Sequence, residues 1–170
     1  MGDDHVANQI ESYGPELLQT YSLVLMHFSS TEKFVFFVLC RLISHPAKEV
    51  DWSLIGTLEG ASIRVLVGQV SALARYRLTA DAHRVIDASC KRILKRFEKR
   101  NYLAHGVCRP GKKPGTVEIH SLRRKGDGYP EGHRTYSIDD LKKMISDLQA
   151  EIAKIEGALI MSGVAPFSAR

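Results

Sequence analysis

The chain has 170 residues, 44% of them apolar, and a formal net charge of +5, so it is long enough to bury one substantial core and short enough to form a single domain. Residues 1–8 are polar and acidic, so we expect no secretory signal, and the longest apolar run, Phe34 to Cys40, is too short to span a bilayer. A soluble protein is therefore expected, and the three cysteines, odd in number and without a Cys-x-x-Cys pair, favour the reducing cytoplasm.

The first predicted helix begins at Pro15, a residue type that suits a first helical turn. Apolar residues then recur at helical spacing, at Leu17, Leu18, Tyr21, Val24, Leu25 and Phe28. Ser29-Ser30-Thr31-Glu32 is expected to bend or restart this helix, because Ser and Thr hydroxyls offer the backbone alternative hydrogen bonds. The apolar run from Phe34 to Ile43 resumes the pattern, and His45-Pro46 ends it.

Two further helices are predicted before the chain changes character. The second covers Ala61 to Tyr76, after a connector that holds two glycines. Thr79 can cap the third helix, and Gly106 is placed to end it. The buried seam of this third helix is marked by apolar residues in steps of four, three and four, at Ile86, Cys90, Ile93 and Phe97.

A β-hairpin is predicted after the third helix. Pro110, Gly111, Pro114 and Gly115 break any helix, and Thr116 to Leu122 then alternates apolar and polar residues. A second short run, His133 to Ser137, follows a loop rich in Gly, Asp and Pro. Because that connector is long, we expect the segment 109–136 to be a mobile flap.

The last predicted helix starts at a capping-box-like pair, Ser137 and Asp140. Gly163 and Pro166 close it. Its apolar seam repeats over three heptads, at Ile138, Leu141, Ile145, Leu148, Ile152, Ile155 and Leu159. The predicted fold is therefore all-α, a bundle of four to five helices with a β-hairpin inserted before the last long helix. Residues 13–162 form the domain, and residues 1–12 and 163–170 are expected to be flexible ends.

Polar side chains continue the buried seam of the third helix. The next step of four after Phe97 lands on Asn101, and four further lands on His105. Burying such groups without partners costs roughly 1–3 kcal/mol each. We therefore expect them to line a cleft, to bond each other, or to face a partner chain.

Arg100, Asn101 and His105 fit the Arg-Asn-x-x-x-His motif of HEPN domains, and Ala104-His105-Gly106 near the end of a third predicted helix adds to the match. The chain resembles this family in helix order over roughly Pro15 to Met161. The resemblance implies a HEPN-like helical bundle that is either a metal-independent endoribonuclease, in phage defence or a stress response, or a nucleotide-, RNA- or partner-binding module without turnover. It also implies a symmetric homodimer and a regulatory or antitoxin protein as partner.

The positive charge is concentrated around the motif. Between Lys91 and Arg134 there are 13 Lys/Arg against 4 Asp/Glu, whereas the rest of the chain is net acidic. Such a field attracts phosphates, so we predict salt-sensitive binding of RNA or a nucleotide; a merely solvated basic face is the alternative. The residues that we predict to contact nucleic acid are Lys95, Arg96, Lys99, Arg109, Lys112, Lys113, Arg123 and Arg124.

Cleavage of RNA without metal requires proton transfer and stabilisation of the phosphorane, and the motif supplies groups for both. We predict that His105 acts as general base or acid, that Arg100 binds the phosphate through its planar fork, and that Asn101 orients His105 one turn away. One motif supplies one histidine, so acid–base work by two residues would be easiest in a symmetric dimer. A purely structural alternative is that Asn101 and His105 bond each other while Arg100 pairs with an acid or caps the helix.

Three further observations from the sequence limit the function. Where one catalytic version of the family has a modified Tyr two residues after the His, this chain has Val107, which argues against control through that tyrosine but not against cleavage. A metal site from His105, Cys108, His120 and His133 lacks a second closely spaced ligand pair, so we expect no metal or cofactor. No helix-turn-helix, Walker loop or Rossmann fingerprint is present.

Overall fold

Four long α-helices and a three-stranded sheet are formed by the residues that this computed structural model describes, namely 13–44, 58, 60–120 and 132–164. The elements in chain order are α1 (Pro15–Ser44), α2 (Ile63–Arg77), α3 (Ala80–His105), β1 (Val107–Pro110), β2 (Thr116–His120), β3 (His133–Ser137) and α4 (Ile138–Met161). The chain is thus mostly helical, with antiparallel strands before the last long helix, as predicted.

The first helix is continuous through Ser29-Ser30-Thr31-Glu32, where we expected a bend or a restart. Thr31 is fully buried, as are Phe28 and Val35 about one turn to either side, so packing outweighs the local preference of Ser and Thr for other backbone bonds. α1 is also long and apolar enough to cross a membrane by length and composition, with a mean hydropathy of 1.5 over 18 residues. Core helices of soluble proteins pass the same test, and a cytoplasmic location stays a prediction.

Three strands, rather than the predicted two, form the sheet. Its order is β1-β2-β3, and both pairings are antiparallel. Val107 to Pro110 carries no alternation of apolar and polar residues and ends in the Pro-Gly break, so its extended state is set by pairing with β2. The buried strand residues are Val117, Ile119 and Tyr136, which give the sheet one covered face.

The predicted helix boundaries at α3 and α4 are confirmed by their hydrogen bonds. Thr79 Oγ1 accepts from the Ala82 amide at 3.3 Å, and the Ser137 and Asp140 side chains each accept from the other residue's backbone amide at 3.1 and 2.9 Å. Gly163, at a φ of 73°, ends α4, and Val164 donates to the Leu159 carbonyl. Gly163 and Val164, assigned above to the flexible end, therefore belong to the helix terminus, while residues 1–12 and 165–170 lie outside the described residues.

The described residues divide into two compact units, and the prediction of a single domain stays a prediction. The first, called here the motif unit, comprises the described parts of Met1–Phe28 and Arg96–Asp147. Its core joins α1, α3, the sheet and α4, and the Phe28 and Phe97 rings meet edge to face at 5.0 Å. Its buried apolar side chains are Leu17, Val24, Phe28, Phe97, Leu103, Val117, Ile119, Tyr136, Leu141 and Met144.

The second unit comprises Ser29–Lys95 and the described part of Leu148–Arg170. A buried carboxylate, Glu151, occupies a core position of α4 in this unit, with Arg92 Nε at 2.9 Å and Lys154 Nζ at 3.0 Å. Burial acts to raise the pKa of Glu151, but the charge of Arg92 and the hydrogen bond from Lys154 outweigh it and hold that pKa below its usual range. The predicted apolar seam of α4 did not include this residue.

Candidate active site

The Arg100–His105 motif forms the last six residues of α3, and Gly106 joins that helix directly to β1. A Cβ atom added to Gly106 would lie 2.6 Å from the Tyr102 carbonyl oxygen and 3.0 Å from that of His120, and it would overlap the Ile119 side chain. Close approach of the helix end to β2 therefore requires glycine here. The described glycines with positive φ lie elsewhere, at Gly14, Gly60, Gly115 and Gly163.

The three motif side chains differ in exposure. Arg100 and Asn101 are half-buried, and His105 is exposed. The buried face of α3 passes from Phe97 to Leu103 at the helix end, instead of continuing through Asn101 to His105. The predicted seam therefore stops before His105, because the last turn presents the Leu103 side to its neighbours.

Among the described residues, the side chains of Arg100, Asn101 and His105 make no hydrogen bond and no ion pair. The structural alternative, in which these groups satisfy one another or a neighbouring acid, is thus not found in this part of the chain. Asn101 and His105 lie one turn apart on the same helix face, and Arg100 lies about 140° around the helix from His105. Convergence of the Arg100 guanidinium and the His105 imidazole on one anionic group stays a prediction.

Contacts from α1 and β3 hold the motif backbone in place. The Tyr21 hydroxyl donates to the Leu103 carbonyl, and it also lies 3.3 Å from Cys108 Sγ. Burial and the hydrogen bond with Cys108 raise the pKa of Tyr21, so its hydroxyl stays neutral and remains a donor. The Arg134 guanidinium lies 4.1 Å above the Tyr102 ring, a cation–π contact that joins β3 to the motif.

A small cavity of about 110 Å³ lies between the start of α1 and the sheet. Its walls are almost wholly apolar, with the Tyr21 and Cys108 side chains among them. The lining residues are Tyr13, Leu17, Leu18, Tyr21, Cys108 and Val117, and the motif side chains are not among these. A ligand of the motif would therefore bind outside this cavity, at the exposed end of α3.

The outer face of the sheet carries two histidines, on the side opposite to Ile119 and Arg134, which contact the end of α3. Val107, His120 and His133 lie directly opposite one another on the three strands, so they share one face. The His120 and His133 rings stack with centroids 5.8 Å apart and planes at 26°, and Glu118 Oε2 lies 4.0 Å from His120 Nε2. The sequence suggests these histidines only as metal ligands, because the strand register that brings them together does not follow from periodicity.

The basic residues predicted to bind nucleic acid fall into three groups. In the motif unit Lys99, Arg109, Lys112 and Lys113 are exposed, and in the second unit Lys95 is exposed. Arg96 instead pairs with Asp147 at 3.2 Å, and only 20% of its side chain is accessible, so it joins α3 to α4 within the motif unit. Contact of Arg96 with nucleic acid stays a prediction, and Arg123 and Arg124 lie outside the described residues.

The described residues contain no group of three or more His, Cys, Asp or Glu side chains that could hold a metal ion. Two of the four residues considered above as ligands, His120 and His133, stack on each other. Cys108 contacts the Tyr21 hydroxyl instead. The arrangement of these side chains therefore does not support a shared metal site.

Comparison of the chain with protein-family models, with curated proteins and with solved structures gives no match. A function must therefore be inferred from the residues of the motif unit themselves. The features that bear on it are an arginine, an amide and an imidazole at the end of α3, next to exposed cations.

Proposed function

We propose that the protein is a metal-independent endoribonuclease of HEPN type that cleaves RNA by attack of a ribose 2′-OH on the adjacent phosphate. The observation that carries the proposal is that Arg100, Asn101 and His105 stand together at the end of α3 without hydrogen bonds or ion pairs among the described residues. Arg100 and Asn101 are only half-buried and His105 is exposed, so their polar atoms are open to a ligand. A phosphodiester with its ribose supplies the matching acceptors.

Each motif residue has a role in this chemistry. The guanidinium of Arg100 donates two parallel hydrogen bonds to the non-bridging phosphate oxygens and stabilises the charge of the phosphorane. The imidazole of His105 takes or gives the proton that moves during attack and departure. The amide of Asn101, one turn before His105, orients that ring and selects its tautomer.

Exposed cations extend the site along the RNA backbone. Lys99 lies within the same helix turn as Arg100, and Arg109 follows on β1. Lys112 and Lys113 occupy the exposed turn between β1 and β2. Each phosphate that these residues neutralise releases counterions, so RNA affinity should fall steeply as salt rises.

The proposal includes a symmetric homodimer that places two motifs along a shared groove, with an antitoxin or other regulatory protein to restrain cleavage in the cytoplasm. A dimer would widen the basic surface and lengthen the RNA segment that can be held. Light scattering after size exclusion tests the dimer independently of activity. A mass equal to one chain at every concentration would remove this part of the proposal.

The decisive experiment incubates the purified protein with a mixed RNA pool in EDTA, beside Arg100→Ala, Arg100→Lys and His105→Ala. We expect the wild type alone to cleave efficiently and to leave 2′,3′-cyclic phosphate and 5′-hydroxyl ends. Losing His105 should slow cleavage by about 10²–10⁴-fold. Arg100→Lys keeps the charge but loses the planar fork, so it should recover only part of the lost rate.

Matched controls use the same substitutions away from the motif. Arg75→Ala on α2 and His83→Ala near the start of α3 should cleave like the wild type, since both residues belong to the second unit. If the wild type and the variants bind RNA in a salt-sensitive way and none of them cleaves it, the proposed nuclease activity is refuted. The protein would then be a non-catalytic RNA- or nucleotide-binding module.

A further inference from the structure

Arg134 on β3 is an exposed cation beside the motif, and its guanidinium lies 4.1 Å above the centroid of the Tyr102 ring. We infer that the outer face of this guanidinium is a stacking platform for an unpaired RNA base; this inference rests on the proposed function, in which RNA is the ligand of the motif. The base that stacks there belongs to a nucleotide next to the phosphate at the motif. Tyr102 is then the positioning residue that holds the guanidinium.

The strand register brings Arg134 to the end of α3. Arg134 and Ile119 lie directly opposite each other on β3 and β2, so their side chains share one face of the sheet. Ile119 packs against the end of α3 on that face, since a Cβ added to Gly106 would overlap its side chain. β3 lies at the edge of the three-stranded sheet. Arg134 can therefore reach over Tyr102 and still remain exposed to solvent.

Tyr102 connects this platform to the proton-transfer residue of the motif. The Gly106 amide donates to the Tyr102 carbonyl at 2.9 Å, so the last turn of α3 is regular. Residues three apart on a helix are surface neighbours, with Cβ atoms about 5–6 Å apart. Tyr102 stands three residues after the exposed Lys99 and three before His105. The Tyr102 ring therefore has a cation for RNA phosphates on one side and the imidazole on the other.

The surroundings of Arg134 favour a base over a phosphate as its ligand. At 4.1 Å from the ring centroid, the guanidinium is close to van der Waals contact with one face of Tyr102, which leaves its other face outward. Within the described ranges Arg134 makes no hydrogen bond or ion pair, so the ring is what orients it. Unpaired RNA bases stack on guanidinium planes as well as on aromatic rings. Because every base has such a flat face, the platform selects single-stranded RNA and tolerates different bases.

The test measures binding, so its result does not depend on turnover. The probes are a short, fluorescently labelled oligoadenylate with 2′-O-methyl riboses, which lack the attacking hydroxyl, and an abasic counterpart with the same phosphates. Fluorescence anisotropy in EDTA gives the dissociation constant of each probe for the wild type and for Arg134→Ala. We expect the substitution to weaken binding of the oligoadenylate about 5–150-fold more than it weakens binding of the abasic probe. A phosphate contact would weaken both by the same factor.

Matched variants separate stacking from charge and from folding. Arg134→Lys keeps the charge but loses the plane, so it should lose most of the base-dependent binding as well. Tyr102→Phe keeps the ring and should bind both probes like the wild type, whereas Tyr102→Leu should weaken chiefly the oligoadenylate. Lys99→Ala is the phosphate control, which should weaken both probes equally and lower the salt dependence of binding by about one ion. Circular dichroism checks that each variant is folded.

Cleavage of unmodified RNA, assayed in parallel, distinguishes this inference from the proposed nuclease. If the wild type cleaves and the Arg134 variants weaken both probes equally or not at all, the platform is overturned and the nuclease stands. If the loss depends on the bases and the wild type cleaves no RNA, the platform stands within a binding module and the nuclease falls. A wild type that binds the abasic probe as tightly as the oligoadenylate, or binds neither, overturns the platform whether or not RNA is cleaved.

Discussion

Replacing Gly106 with alanine should destabilise the motif unit, although the two residues differ by one methyl group. The φ angle of Gly106 is not positive, so alanine brings no backbone strain of its own. The added methyl would instead meet two carbonyl oxygens, at 2.6 Å on Tyr102 and 3.0 Å on His120, and would overlap the Ile119 side chain. Backbone oxygens cannot rotate away, so β1 and β2 must shift relative to α3.

Overpacking of this kind typically costs about 1–3 kcal/mol, and it outweighs the gain of about 0.4–1 kcal/mol that Gly-to-Ala replacement brings through the unfolded state. The net loss of up to about 2.6 kcal/mol corresponds, for a chain of this size, to a melting temperature lower by up to about 10 °C. The shift also disturbs the end of α3, which carries the motif. Cleavage activity should therefore fall further than stability alone would explain.

Urea denaturation followed by circular dichroism measures the effect, with Gly68→Ala as the matched control. Gly68 is exposed on α2, and no atom lies within 4 Å of an added Cβ there, so this variant should gain about 0.5–1 kcal/mol. Stability of Gly106→Ala equal to or above that of the wild type, with the control behaving as stated, would refute the close-packing explanation.

Three further predictions concern contacts that need no assumption about function. Glu151→Gln should lower the free energy of unfolding by about 1–3 kcal/mol at pH 7. Because the folded-state pKa of Glu151 lies below its ordinary value of 4.5, the difference between the two proteins is fully present above pH 4.5 and shrinks as the pH falls below 4.5. Tyr21→Phe should cost about 0.5–1.5 kcal/mol in urea denaturation, since the Leu103 carbonyl loses its donor. N-ethylmaleimide should label Cys108 well before Cys90, whose pKa burial raises to about 12, as mass spectrometry will show.

The controls for these three use exposed or equally buried counterparts. Glu156→Gln on α4 and Tyr76→Phe on α2 alter exposed side chains and should leave stability within about 0.5 kcal/mol of the wild type. Cys40 is buried and should be labelled as slowly as Cys90. An effect of Glu151→Gln that does not change with pH would contradict the ion pairing of Glu151. Unchanged stability of Tyr21→Phe would contradict the hydrogen bond to Leu103, and equal labelling of all three thiols would contradict the burial of Cys40 and Cys90.

Local signals were sufficient to predict most of the helices. Thr79 and the Ser137–Asp140 pair are caps that act within one turn, so the starts of α3 and α4 are readable from a few residues. β1 is different, because its four residues have little strand character and are extended only by pairing with β2. The continuity of α1 through Thr31 likewise depends on packing that the Ser-Ser-Thr stretch does not reveal.

At the candidate site, the sequence predicts the positions of residues better than it predicts their partners. The positions of Arg100, Asn101 and His105 at the end of α3 follow from helical spacing and Gly106. The ion pair of Arg96 with Asp147 joins residues from different helices, and no spacing rule connects them. The neighbours of His120 likewise depend on the strand register, because a register shift of one residue would move its side chain to the other face of the sheet.

The motif unit draws on stretches of chain that are far apart in sequence. The Tyr21 hydroxyl reaches a carbonyl 82 positions later, and Glu16 pairs with Lys142 across 126 positions. Closing a loop of the smaller size costs about 4 kcal/mol of chain entropy, before any contact repays it. At roughly 5–20 residues per second, a ribosome needs several seconds between making the first helical turns and making their partners. A synthetic peptide spanning the motif would accordingly lack the scaffold that orients it, and the nascent protein would gain this site late.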